Sequence, residues 1–98
     1  MNASFGKEMY SKTIEKKYAA LKYRVDDLLD VLVFSNDDTQ IDVILNGLQE
    51  LIDDSPEHKY WAMAKLGSLY VSGKGVKRDI KKARQYFDIV IDVGYLNV

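Results

Sequence analysis

Apolar residues recur at Ile14, Tyr18, Leu21, Val25, Leu28 and Leu32, in steps of four and three, with polar residues filling most positions between them. That period draws one apolar seam along a helix and predicts a long one over about 11–33. The cluster Ser35-Asn36-Asp37-Asp38 follows, made of residue types that stop one helix and cap the next. Ile41, Ile44, Leu48 and Leu51 then mark a second helix over about 39–53. The single proline, Pro56, follows Ser55. Serine suits the cap and proline the first helical position, which predicts a third helix over about 56–72. A fourth is expected over about 79–93, with Asp79 accepting the free N–H groups of its first turn. No segment alternates apolar and polar residues with period two, so strands are not expected.

The segment from Ala64 to Gly94 carries a finer pattern. Ala64 and Gly67 lie three apart on one predicted helix and Ala83 on the next, small residues that let two helix backbones approach, with Tyr70 and Phe87 filling the volume alongside. Gly73 and Gly75 supply backbone freedom where the chain must reverse. Ala64, Leu66, Gly67, Tyr70, Gly73, Gly75, Val76, Asp79, Lys82 and Ala83 together resemble one Sel-one-like repeat, a relative of the tetratricopeptide repeat. The resemblance implies a helix pair that binds other proteins and carries no chemistry of its own. Ile89, Val90, Ile91 and Val93 depart from the small alanines usual at the end of such a repeat, which suggests a terminal copy with nothing stacked beyond it. The apolar tail Tyr95, Leu96 and Val98 is then expected either to cap the repeat or to form a self-association patch.

Four helices joined by short loops imply an all-α chain of two stacked antiparallel helix hairpins, a short α-solenoid of Sel-one-like or tetratricopeptide type. The expected organisation is one domain over 1–98, with 1–10 disordered, a first helix pair over 11–54 and the repeat over 55–94. The first pair lacks the repeat signature and reads either as a degenerate copy or as an unrelated capping hairpin. Tyr60, Trp61 and Met63 are expected in the packing.

Composition removes several classes of function. The chain has 98 residues, 47% hydrophobic and 30% charged, and no cysteine. Thiol catalysis, disulfides and Cys-ligated metals are therefore excluded. His58, the one histidine, has no second histidine or cysteine to complete a nucleophilic pair and reads as an exposed polar residue beside Glu57. NDDTQIDVILNG lacks the ligand spacing, central glycine and terminal glutamate of an EF-hand loop. No cofactor, no metal and no enzymatic activity are expected. No apolar run reaches the roughly 18 residues of a membrane span, and MNASFGKEMYSK lacks the core of a secretory signal, so a cytoplasmic location away from membranes is expected.

A formal net charge of −1 hides strong segregation. From Val25 to Glu57 there are ten Asp and Glu residues and no Lys or Arg, whereas the later segment gathers Lys74, Lys77, Arg78, Lys81, Lys82 and Arg84. Two unit charges about 10 Å apart in water repel by only about 0.4 kcal/mol, yet ten uncompensated carboxylates accumulate a cost of several such terms. One reading is that acidic and basic helices attract each other and solvate their outer faces. The other is a negative surface for a basic partner, built from Asp26, Asp27 and Asp30 on the first helix and Asp42, Asn46, Gln49, Glu50 and Asp53 on the second. The acidic block opposes a phosphate backbone, so no nucleic-acid partner is expected. A small non-catalytic chain with an acidic face resembles the immunity proteins that bacteria encode beside toxins, many of which are basic nucleases. The alternatives are an adaptor with another protein partner, and a structural homodimer or larger homo-oligomer in which acidic and basic faces meet.

Overall fold

The computed structural model describes the backbone of residues 3–95 and the side chains of residues 13–95. The expectation of disorder over 1–10 falls on residues whose side chains lie outside that range, and Leu96 and Val98 of the apolar tail lie outside it altogether. Four helices follow in chain order, α1 (Ala3–Ser35), α2 (Ile41–Asp54), α3 (Lys59–Ser72) and α4 (Ile80–Asp92), and no strand forms among the described residues. At 1.5 Å per residue the 33 residues of α1 span about 50 Å, which accounts for the 53 Å long axis of the molecule. The helix starts at Ala3, well ahead of the first seam residue, Ile14.

Each connection has a local chemical cause. Asn36 stops α1 in the left-handed region, at φ 52°. The Asp37 carboxylate then accepts the Thr39 N–H at 3.0 Å and the Thr39 hydroxyl at 2.7 Å. These bonds, the hydroxyl first, hold the Asp37 carboxyl below its ordinary range. Whatever this turn contributes is therefore present above the ordinary carboxylate range and lost as pH falls below it, through the lowered value of the folded state. The cap expected from 35–38 is thus a turn: Gln40 occupies the N-cap of α2 without a side-chain bond, since the Asp37 carboxylate is engaged by Thr39. Ser55, buried, is the C-cap of α2 rather than the N-cap of α3. Its hydroxyl and carbonyl both accept the His58 N–H, at 3.3 and 3.1 Å, which folds 56–58 into a turn and delays α3 to Lys59.

The last connection follows the sequence more closely. Gly73 ends α3 in the left-handed region, its N–H donating to the Leu69 carbonyl at 2.8 Å. Asp79 caps α4 by accepting the Lys82 N–H at 3.0 Å, and its own N–H donates to the Tyr70 carbonyl at 2.9 Å. Beyond α4, the N–H groups of Gly94 and Tyr95 donate to the carbonyls of Ile91 and Val90, both at 2.9 Å, a Schellman closure.

The core draws Val25, Leu29 and Leu32 from α1, Ile44, Leu48 and Leu51 from α2, and Ala62, Leu66 and Leu69 from α3. Packing follows chain order: α1 against α2, α2 against α3, α3 against α4. Met63 is buried and Trp61 packs against the core, as their apolar character suggests. Tyr60 is half-buried, with the Lys59 amine 5.9 Å from its ring centroid. Tyr70 and Tyr86 stack with parallel rings at 6.3 Å.

At Gly67 the small side chain serves a ring and not a second backbone. A Cβ there would meet three atoms of the Phe87 ring at 2.9, 3.1 and 3.2 Å, while Ala83 is buried on α4 and Ala64 is half-buried. Gly67→Leu should therefore lower stability by about 1–3 kcal/mol in thermal unfolding, against less than about 0.5 kcal/mol for exposed Lys81→Ala. Adding Phe87→Leu should recover part of the loss. Equal melting of the Gly67 variant and the parent would show that the ring has room to move aside.

Candidate protein interface

The side chains expected to bind a partner arise from two helices whose apolar faces are fixed by the core. On α1, burial of Val25, Leu29 and Leu32 leaves Asp27 and Asp30 exposed and Asp26 half-buried at the edge of the packed face. On α2, burial of Ile44, Leu48 and Leu51 leaves Asp42, Asn46, Gln49 and Asp53 exposed and Glu50 half-buried. The Gln49 amide donates to the Asp53 carboxylate at 3.0 Å.

Five of these residues line three separate hollows, Asp53 bordering one of about 340 Å³ with Asp54, Pro56 and Lys59. Asn46 and Glu50 border one of about 310 Å³ with Leu21, Val43 and Gly47, at the junction of α1 and α2. Asp26 and Asp30 border another of about 350 Å³ between α1 and α3. Its floor includes Leu29 and Leu69, Val33 and Phe34 continue the α1 wall, and Lys65, Ser68 and Lys74 stand on the opposite side. The hollow exists because the α1 and α3 backbones stay apart, with no Cα pair within 8 Å among the described residues. The sequence places Lys74 only in the basic cluster, and nothing in it singles out Phe34, Val33 or Lys65. Phe34 is off the seam of α1, and an aromatic beyond a helix's core face is a visible signal that periodicity alone discards.

The electrostatics of the acidic block are simple. Among the described residues the one acid–base contact within 4.0 Å is His58 Nε2 against Glu57 Oε2, so the other carboxylates from Asp26 to Asp54 have no basic side chain in direct contact. The basic residues are partly engaged elsewhere. The Lys74 amine donates to the Val33 carbonyl at 3.0 Å, placing a cation at the negative end of the α1 dipole. The Lys22 amine lies 5.2 Å from the Trp61 ring centroid, joining α1 to α3 through cation–π contact, and the Lys65 amine lies 5.7 Å from the same centroid within α3. Lys82 lies 4.8 Å from the Tyr70 ring centroid, and hydrogen bonding with the Tyr70 side chain holds its ammonium above the ordinary lysine range.

His58 differs from expectation. Its side chain is only 12% accessible, and Nε2 is buried without a hydrogen-bond partner. The late start of α3 is the reason: His58 holds the N-cap position behind the folded 55–58 turn instead of projecting from an exposed first turn. Among the described residues no three His, Asp or Glu side chains converge as metal ligands, and no helix is long and apolar enough to cross a membrane.

The chain is thus an all-α protein of four helices with an acidic middle and an apolar hollow rimmed by charge. Comparison with protein families, with curated proteins and with solved structures finds no match.

Proposed function

We propose that this chain is a non-enzymatic protein-binding module of the Sel-one-like, tetratricopeptide type, a short solenoid of two helix hairpins whose acidic middle takes a protein with a basic surface. The observation that carries the reading is the unpaired state of the acidic block: of its ten carboxylates only Glu57 has a basic group within 4.0 Å. Carboxylates with no base in direct contact keep more of their field available to steer a cationic partner. Packing of helices in chain order and the resemblance of 64–94 to a repeat support the solenoid type. In its most concrete form the module is a bacterial immunity protein whose carboxylates occupy the phosphate-binding cleft of a basic nuclease toxin. A cytoplasmic adaptor would use the same surface for another partner, and a toxin gene beside its own separates the two.

The test is a pull-down from the source organism followed by two sets of reversals. Asp27→Lys, Asp42→Lys and Asp53→Lys, all exposed, should slow association about tenfold or more and flatten its salt dependence without loss of helicity. Lys77→Glu and Lys81→Glu, also exposed, should leave association unchanged or faster. If the lysine set abolishes binding and the aspartate set does not, the basic turn is the interface.

A homo-oligomer is the second reading, favoured by Ile80, Ile89, Ile91 and Val93 on and just after α4, each 41–49% exposed beside the basic cluster. Sizing at low and high salt tests it, because a charge-matched assembly dissociates as the screening length shortens to about 3 Å at 1 M.

A further inference from the structure

The hollow between α1 and α3 contains opposite charges, and they are not equally free. Lys74 is held on the Val33 carbonyl and the Lys65 amine lies against Trp61, which does not line the hollow. Ser72 is likewise satisfied, its hydroxyl donating to the Leu69 carbonyl at 3.1 Å and accepting the Lys74 N–H at 3.2 Å. Asp26 and Asp30 have neither a base nor a hydrogen-bond donor in contact. Phe34, on the same wall, is 81% exposed. The charged groups left without a partner are therefore two carboxylates, with the Ser68 hydroxyl and one aromatic face beside them above an apolar floor.

We propose that this hollow is an arginine pocket: it receives one arginine of the partner, flanked in the partner's chain by apolar residues. The inference rests on the reading of the acidic surface as a protein interface and names the group that anchors it. Asp26 and Asp30 stand four apart on α1, about 5–6 Å between Cβ atoms, a spacing across which the rigid guanidinium fork presents pre-arranged donors to both carboxylates. The planar guanidinium also stacks on an aromatic face such as Phe34 and is less strongly hydrated than an ammonium, so it enters a partly apolar hollow at lower cost. Its methylene stem covers Leu29 and Leu69, which line the floor.

The test selects short random peptides displayed on phage against the full chain, with Asp26→Asn/Asp30→Asn as the counter-target. The double variant keeps side-chain size and removes charge from a half-buried and an exposed position, and circular dichroism verifies its fold. Peptides recovered on the parent and lost on the variant should carry arginine beside apolar residues. They should weaken about tenfold or more when arginine is replaced by citrulline, and measurably with Phe34→Ala. Backbone resonances of 26–34 and 65–74 should shift on titration of such a peptide. Recovery of no peptide, of peptides without arginine, or of peptides indifferent to citrulline or to the double variant overturns the pocket. Self-association of the parent that the double variant abolishes also overturns it, because the occupant is then a second copy. If the pocket fails while the Asp27, Asp42 and Asp53 reversals still release the partner, the acidic interface stands without it. If those reversals have no effect, the interface reading itself has failed.

Discussion

Gly47→Leu should unfold this protein at markedly lower denaturant than the parent, with a loss of about 3 kcal/mol. Gly47 lies buried on α2 where that helix crosses α1, and a Cβ built on it would stand 2.5 Å from Cγ2 of Val25. Val25 is itself fully buried, and its β-branch leaves it little freedom to rotate away. The helices would have to separate along the length of the seam. Gly47→Ala sets two effects against each other. Alanine gains about 1 kcal/mol of helix propensity over glycine, and the steric conflict with Val25 opposes it. Pairing it with Val25→Ala isolates the conflict, since the double variant should be more stable than the sum of the two single losses by about 0.5–3 kcal/mol. Urea unfolding with unchanged slope measures all four proteins; strict additivity would place the crossing elsewhere.

Gly75→Ala should be the second costly change, and Gly94→Ala its internal control. Both glycines sit in the left-handed region, at φ 71° and 78°, where an L side chain costs about 1–2 kcal/mol. Only Gly75 is also crowded: a Cβ there would meet Cδ1 of Ile41 at 2.7 Å, whereas nothing lies within 4 Å of the corresponding point at Gly94. The two alanine variants share the backbone strain, so the difference in their stabilities reports the contact with Ile41, about 1–3 kcal/mol. Ile41→Val should shrink that difference. Identical losses at the two positions would mean that the loop slides off Ile41 at no cost.

These positions also show what the sequence could and could not disclose. The four helices were legible because their core residues repeat at helical spacing and because Asn36, Gly73 and Asp79 perform the stops and caps their chemistry suits. The third helix began late because Ser55 serves two purposes, closing α2 and holding a turn through His58, and a cap motif does not reveal which helix it serves. Gly47 drew no notice, since a lone glycine in a helical pattern shows nothing of the valine that will pack against it. The same limit applied to the interface. The acidic block could be counted, but its division among separate hollows depends on which helix faces the neighbours cover, and Lys74 reaches the carbonyl of a residue 41 positions away.

Chain-order packing has a consequence for how this molecule opens. Because the backbone of α4 packs against α3 and no other described helix, its detachment opens chiefly one helix contact and, apart from lifting Tyr86 away, leaves the buried core of α1, α2 and α3 in place. Unzipping from that end should halt at the loop before α4, where Gly75 is seated on Ile41 and Lys74 is bonded to the end of α1. Amide protons of α4 should therefore exchange with solvent through a local opening cheaper than global unfolding, while those of α2, flanked by helices on both sides, wait for the whole fold to come apart.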